Sequence, residues 1–298
     1  MAPQTLRRIT PPGHGPYLRV LDAPGRCARL GLRRPRTSRQ LPINHLVEVA
    51  GAGTVSVIPL EGLPELVEGE DLGLLLHAAA GAAGGLQDAD VVVVAQKAVS
   101  KVEGRVVRLA DVEASARAVE LAGEDGDARR AEVILRESRE ILRSRPPLVI
   151  AETRHGFVCA SAGVDASNTP GEGILVLLPV DPDASARRVR ARLWELSGAD
   201  VGVVVSDSFG RAWRQGTTDV ALGVAGIAPL RNLRGTTDAR GHLLESTQIA
   251  VADEIAGAAE LVLGKARQVP AAIVRGVDAR GDGGAAELVM PRERDLFR

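Results

Sequence analysis

The apolar residues of this 298-residue chain come in short runs, and that constrains its fold more than anything else in it. VVVVA at Val91 to Ala95, ILVLL at Ile174 to Leu178 and VGVVV at Val201 to Val205 are each preceded by Asp or Gly and followed by a polar residue or Pro. Runs of that length, rich in β-branched residues, read as strands buried within a core. None approaches the roughly 20 residues that a bilayer span requires, so no membrane partner is expected. Between the runs, GLPELVEGEDLGLLLHAAAG has helix-period leucines after a Pro start. Asp111 to Arg143 reads as helical, with Val133, Ile134, Ile141 and Leu142 as its stripe. DPDASARRVRARLWELSG reads as a helix capped by Asp183 and closed by Gly198, and STQIAVADEIAGAAELVLGK as a long buried helix. VEVAGAGTVSVIPL, PPLVIAETRHGFVCASAG, VGVVVSDSFGR (ending at Asp207) and VPAAIVRG read as strands. Residues 1 to about 40 mix Pro, Gly and Arg without periodicity and are expected to form a disordered extension, with one functional domain over 41–298.

Charge and cysteine usage exclude several classes. With 37 basic and 38 acidic residues the formal net charge is -1, which gives no general attraction to nucleic acid. Cys27 and Cys159 are the only cysteines and no signal-peptide core follows the N-terminal arginines, so a cytoplasmic location is expected. No GxxxxGK[ST] occurs, and the GAG at Gly51 to Gly53 has no third glycine, so neither a P-loop nor a Rossmann site is supported. The five histidines are scattered without zinc-ligand spacing.

What remains is carboxylate and lysine chemistry. Asp165, in GVDASN, and Asp207, in SDSFGR, both follow strand-like runs, where polar side chains can meet on a rigid rim. Two converging carboxylates repel unless a cation neutralises them, and magnesium or manganese suits oxygen donors. Taken alone, an aspartate there is more often a turn residue or helix cap. Ser208 adds an oxygen beside Asp207, and Asn168 a polar amide after Asp165. In a background of arginine, Lys97, Lys101 and Lys265 are the only lysines, and a compact ammonium makes point contacts with phosphate that a guanidinium does not. Lys97 and Lys101 stand four apart just after a strand, a spacing that lets one or both ammonium groups face a phosphate chain. Cys159 reads as an inert core residue and His155 as a histidine bonded into a turn.

In this order, GLPELVEGEDLGLLL, VVVAQKAVSKVEGR, TRHGFVCASAGVDASN, LPVDPDASARRVR, SDSFGRAWRQG and ADEIAGAAELVLGKARQVPAAIVRG resemble the coenzyme F420-0:γ-glutamyl ligases. The resemblance runs from about Val47 to about Gly276. It implies an α+β fold of two intimately packed subdomains with mixed and antiparallel sheets, and a homodimer. It implies GTP-driven addition of L-glutamate to the lactyl carboxylate of F420-0, with one or two Mg2+ or Mn2+ ions. Carried over residue by residue, Asp165 and Asp207 would share the first metal, and Ser208, where the family usually has threonine, would adjoin a second. Ile58, Pro59, Leu60 and Glu61, with Gln96, Lys101, Asn168, Gly264 and Lys265, would contact GTP. Lys101 is thereby placed ahead of Lys97, and arginine is expected to harm position 101 more than position 97. Gln96 stands where many relatives carry a small hydroxyl residue. Lys265 stands where some have a metal-associated glutamine, and an ammonium would hold phosphate instead. The rival readings are a nucleotide- or deazaflavin-binding protein without turnover, and a ligase of the same chemistry acting on another carboxylate.

Overall fold

The computed structural model describes residues 53–169, 171–264 and 267–297. The predicted N-terminal extension lies outside the described residues, as does Lys265. In chain order the strands are β1 (Ser56–Leu60), β2 (Val91–Ala95), β3 (Val106–Arg108), β4 (Ser138–Arg145), β5 (Leu148–Thr153), β6 (Val158–Ala160), β7 (Ile174–Val176), β8 (Gly202–Arg211), β9 (Arg214–Ala225), β10 (Arg231–Asn232), β11 (Gln248–Ile249) and β12 (Ala271–Arg275). The α-helices are α1 (Leu72–Ala82), α2 (Gln96–Val102), α3 (Ala116–Ala122), α4 (Ala128–Glu137), α5 (Pro182–Ser197) and α6 (Val251–Leu263). Among the described residues this is a mixed α+β architecture with several sheets and no barrel.

The largest sheet has the order β1-β12-β2-β8-β9, and only β2 and β8 run parallel. Both faces are covered, which is why its inner strands read as unbroken apolar runs. Val92, Val94, Val203, Val205 and Ile273 pack with residues of α1 and α5, whereas Val91, Val93, Val204, Ala272 and Val274 pack with α6. Burying each such valine contributes roughly 1.5–3 kcal/mol before the cost of ordering it. A separate core gathers Val133 and Ile134 of α4, Val149 and Ala151 of β5, Val164, and Leu175 of β7. Antiparallel pairs β3-β7 and β4-β5-β6 frame it.

Several boundaries differ from the sequence reading, each for a physical reason. The predicted Asp111–Arg143 helix is two helices and a strand: Gly123 takes a positive φ of 67° after α3, and Ile141 and Leu142 lie in β4. Pairing with β5 supplied ladder hydrogen bonds that outweighed the local helical period. The N-cap of α5 is Asp181, which accepts the Ala184 N–H at 2.9 Å with Pro182 as first helical residue. Asp183 instead accepts the Val224 N–H at 2.7 Å, tying the helix to β9. Gly198 closes the helix in the left-handed conformation, as expected. Helix α1 starts only after its cap Asp71, leaving residues 63–70 as a loop. Strand β8 does not end at Asp207 but continues to Arg211, because β9 pairs with it along that length.

Candidate functional site

The parallel pair sets the site. Ala95 of β2 lies opposite Ser206 of β8, so Lys97, two residues on in the first turn of α2, and Asp207, the next residue of β8, emerge at the same end of the sheet. Asp165 arrives from the second core, where its backbone exchanges hydrogen bonds with Val176 at 3.0 and 2.8 Å. Its carboxylate is oriented by the Ser167 N–H at 2.7 Å and by the Lys97 ammonium at 2.7 Å. A cavity of about 530 Å³ opens here. Lys97, Lys101, Asn168, Asp207, Ser208 and Gly264 line it, with Leu63, Leu66 and Leu263 as apolar wall.

The register of β9 brings in a residue that sequence reading missed. Val205 faces Gly223, but Ser206 faces Ala221, so Leu222 is the extra residue of a bulge. The Ala221 N–H donates to the Asp253 carboxylate of α6 at 2.9 Å. In an unbulged ladder Asp219 would face Phe209; with the bulge it faces Ser208. Buried Asp219 then accepts the Ser206 hydroxyl at 2.8 Å and the Ser208 hydroxyl at 2.6 Å. Nothing in TTDVALG marks this aspartate, because its role depends on a partner strand and a bulge rather than on local pattern.

Burial pushes the Asp207 carboxyl up to about 6; Lys97 and the Ser208 N–H oppose that, and the charges of Asp219 and Asp165 reinforce it. Burial also acts to raise Asp165, but hydrogen bonds from Lys97 and Ser167 outweigh it and hold that carboxyl below its ordinary range. The pocket therefore carries more negative charge than Lys97 neutralises. An all-oxygen donor set in such a field fits a hard divalent cation. Among the described residues no group of three His, Cys, Asp or Glu side chains is placed to hold a metal ion by itself.

The other sequence-predicted residues separate clearly. Asn168, at a positive φ of 54°, and Gly264 line the cavity. Lys101 lines it too, with its ammonium paired to Glu65 of the 63–70 loop. Lys97, ranked second in the sequence, is the lysine bonded to Asp165. Ile58, Pro59 and Leu60 are strand residues of β1, Leu60 is fully buried in the core, and neither they nor Glu61 line the cavity. Gln96 also stays out of the cavity lining: it is buried, its carbonyl accepts the Ser100 hydroxyl at 2.9 Å, and its amide nitrogen has no partner. Burial, reinforced by the charge of Asp207, pushes the Cys159 thiol up to about 12, which keeps it unreactive. His155 Nε2 lies 2.9 Å from the Pro179 carbonyl, the bonded role expected of it.

A family model described as F420-0:Gamma-glutamyl ligase matches residues 62–276. The chain is similar to a Coenzyme F420:L-glutamate ligase of Methanothermobacter thermautotrophicus, 43% identical over 250 residues that cover 82% of this chain and 99% of that relative. A protein of the same name from Archaeoglobus fulgidus is 40% identical over 246 residues, covering 82% and 96%. Another from Methanopyrus kandleri is 41% identical over 257 residues, covering 84% and 100%.

Proposed function

The chain belongs to the F420-0:gamma-glutamyl ligase family, and from that premise we propose that it joins L-glutamate to the lactyl carboxylate of coenzyme F420-0 in F420 biosynthesis, with conversion of GTP to GDP and phosphate. The observation that carries the proposal is the meeting of Asp165, Asp207 and Lys97 at one end of the sheet, beside a cavity large enough for substrate groups.

The chemistry needs that arrangement. A carboxylate does not condense with an amine at neutral pH, so it first attacks the γ-phosphorus of GTP; the bond from that phosphorus to the β,γ-bridging oxygen breaks, GDP leaves, and the carboxylate becomes an acyl phosphate. The amine of glutamate then attacks the acyl carbon, the C–O bond to phosphate breaks, and the nitrogen loses a proton. Asp165 and Asp207 would hold the first divalent ion and Ser208 would adjoin the second; magnesium or manganese held there would neutralise phosphate charge, so that two anions could meet. Lys97, already lodged against Asp165, supplies fixed positive charge next to them. Lys101, Asn168, Gly264 and, beyond the described residues, Lys265 would hold the nucleotide. Holding three reactants together removes much of the entropic barrier of their encounter. The same reading takes the two hydrophobic cores as the packed subdomains of a γ-glutamyl ligase-like fold, in a cytoplasmic homodimer.

The test is incubation with F420-0, L-glutamate, GTP and Mg2+ or Mn2+. A mass gain of whole glutamyl units, with one GDP formed per unit, is expected. GTP hydrolysis that ignores acceptor and glutamate, without any mass gain, overturns the proposal.

A further inference from the structure

We propose that Asp219 is a positioning residue that fixes the direction of the Ser208 hydroxyl, so that its oxygen meets a divalent cation only as a lone-pair donor. This rests on the metal-dependent reading above. The observation is the pair of short bonds from Ser206 and Ser208 to the two oxygens of one buried carboxylate.

A serine hydroxyl has one proton and two lone-pair sites, and it can rotate to point either way. Left free beside a cation, Ser208 would spend part of its time with the proton aimed at the ion. Asp219 removes that freedom: its carboxylate accepts the proton at 2.6 Å, the short range of a charge-assisted hydrogen bond. With the proton held by Asp219, the lone-pair sites of Ser208 are what remains to offer a cation, and Ser208 lines the same cavity as Asp207. Ser206, fully buried, donates to the other oxygen at 2.8 Å. That second donor prevents the carboxylate from turning. Asp219 reaches this place only because the bulge at Leu222 shifts β9 by one residue, and Asp253 holds the Ala221 N–H at the bulge. Outer partners of this kind commonly govern metal affinity by about 10–100-fold.

Asparagine at 219 breaks the arrangement without changing its size. Its amide offers one acceptor oxygen and one donor NH2, so one of the two serines loses its acceptor and meets a donor instead. The experiment is a Mn2+ titration followed by electron paramagnetic resonance, with GDP present and no turnover, on wild type, Asp219→Asn, Ser208→Ala, Ser208→Thr and the 208/219 double variant. Wild type that binds no Mn2+ sinks the metal-dependent reading itself. Given wild-type binding, Asp219→Asn and Ser208→Ala are each expected to weaken one Mn2+ site at least about tenfold, with the double variant no worse than Ser208→Ala. Ser208→Thr, which keeps the hydroxyl, should bind as wild type does. Wild-type Mn2+ affinity in Asp219→Asn, or losses that add fully in the double variant, overturns the proposal. Should Asp219→Asn fail to fold, Asp219→Ser, smaller and unable to take both protons, is read by the same outcomes.

Discussion

Lys97 and Lys101 are one helical turn apart, and the structure separates their duties. The Lys97 ammonium bonds Asp165, whereas that of Lys101 pairs with the exposed Glu65. Lys97→Met should therefore lower kcat/KM by more than tenfold, about 1.4 kcal/mol of transition-state stabilisation or more, and Lys101→Met by less. Steady-state kinetics on the two variants checks the order, which reverses the one that sequence alone suggests. Asp207 carries a pH dependence whose sign follows from its raised pKa. In buffer free of divalent cations, the folded protein holds the Asp207 proton until about pH 6, whereas an unfolded chain releases it near 3.8. Stability should fall as pH rises through that window, by at most about 3 kcal/mol, and Asp207→Asn should flatten the slope. The depressed Asp165 acts in the opposite sense, with stability lost as pH falls below its ordinary range. Denaturant midpoints at pH 4 to 7 measure both. At this scale Asp165 and Asp207 were legible as candidates because they follow strand-like runs, and Asn168 because it is a polar amide close after Asp165. Asp219 was not, since its neighbours are supplied by another strand.

At the scale of elements, the bulge in β9 decides which residues share a face, and Asp253 of α6 is its anchor. Asp253→Ala would leave the Ala221 N–H without its acceptor, a loss of about 1–3 kcal/mol for a buried donor. The expected result is a lower denaturant midpoint together with lower turnover, since Asp219 and Ser208 depend on the shifted register. A midpoint that drops while turnover at saturating substrate stays unchanged would separate the bulge from the chemistry. The buried strands β2, β8 and β12 and the helices α5 and α6 could be read from the sequence, because their apolar patterns record burial directly. Strand β4 could not: SREILRSR alternates poorly and is exposed along much of its length, so only its pairing with β5 makes it a strand. The Asp181 cap was missed for a related reason. Asp183 has the same chemistry, and only the contact of Asp183 with Val224 distinguishes the two.

For the whole molecule, the site draws Lys97, Asp165, Asp207 and Asp219 from distant parts of the chain, and its precision depends on the sheet beneath it. That sheet places β12 between β1 and β2. The first and third strands in space are thus joined only after residues 271–275 have been synthesised, when every other strand among the described residues already exists. A ribosome releasing this protein must therefore hold β1 and β2 with unpaired edges through almost the whole of translation, and non-local pairing of this kind folds slowly. A chain stopped before Ala271 should accumulate in the insoluble fraction when expressed, despite containing each of those four site residues. Nascent copies crowded on one messenger would meet the same open slot in their neighbours, so the interval between the synthesis of β2 and that of β12 is when this protein most needs a chaperone.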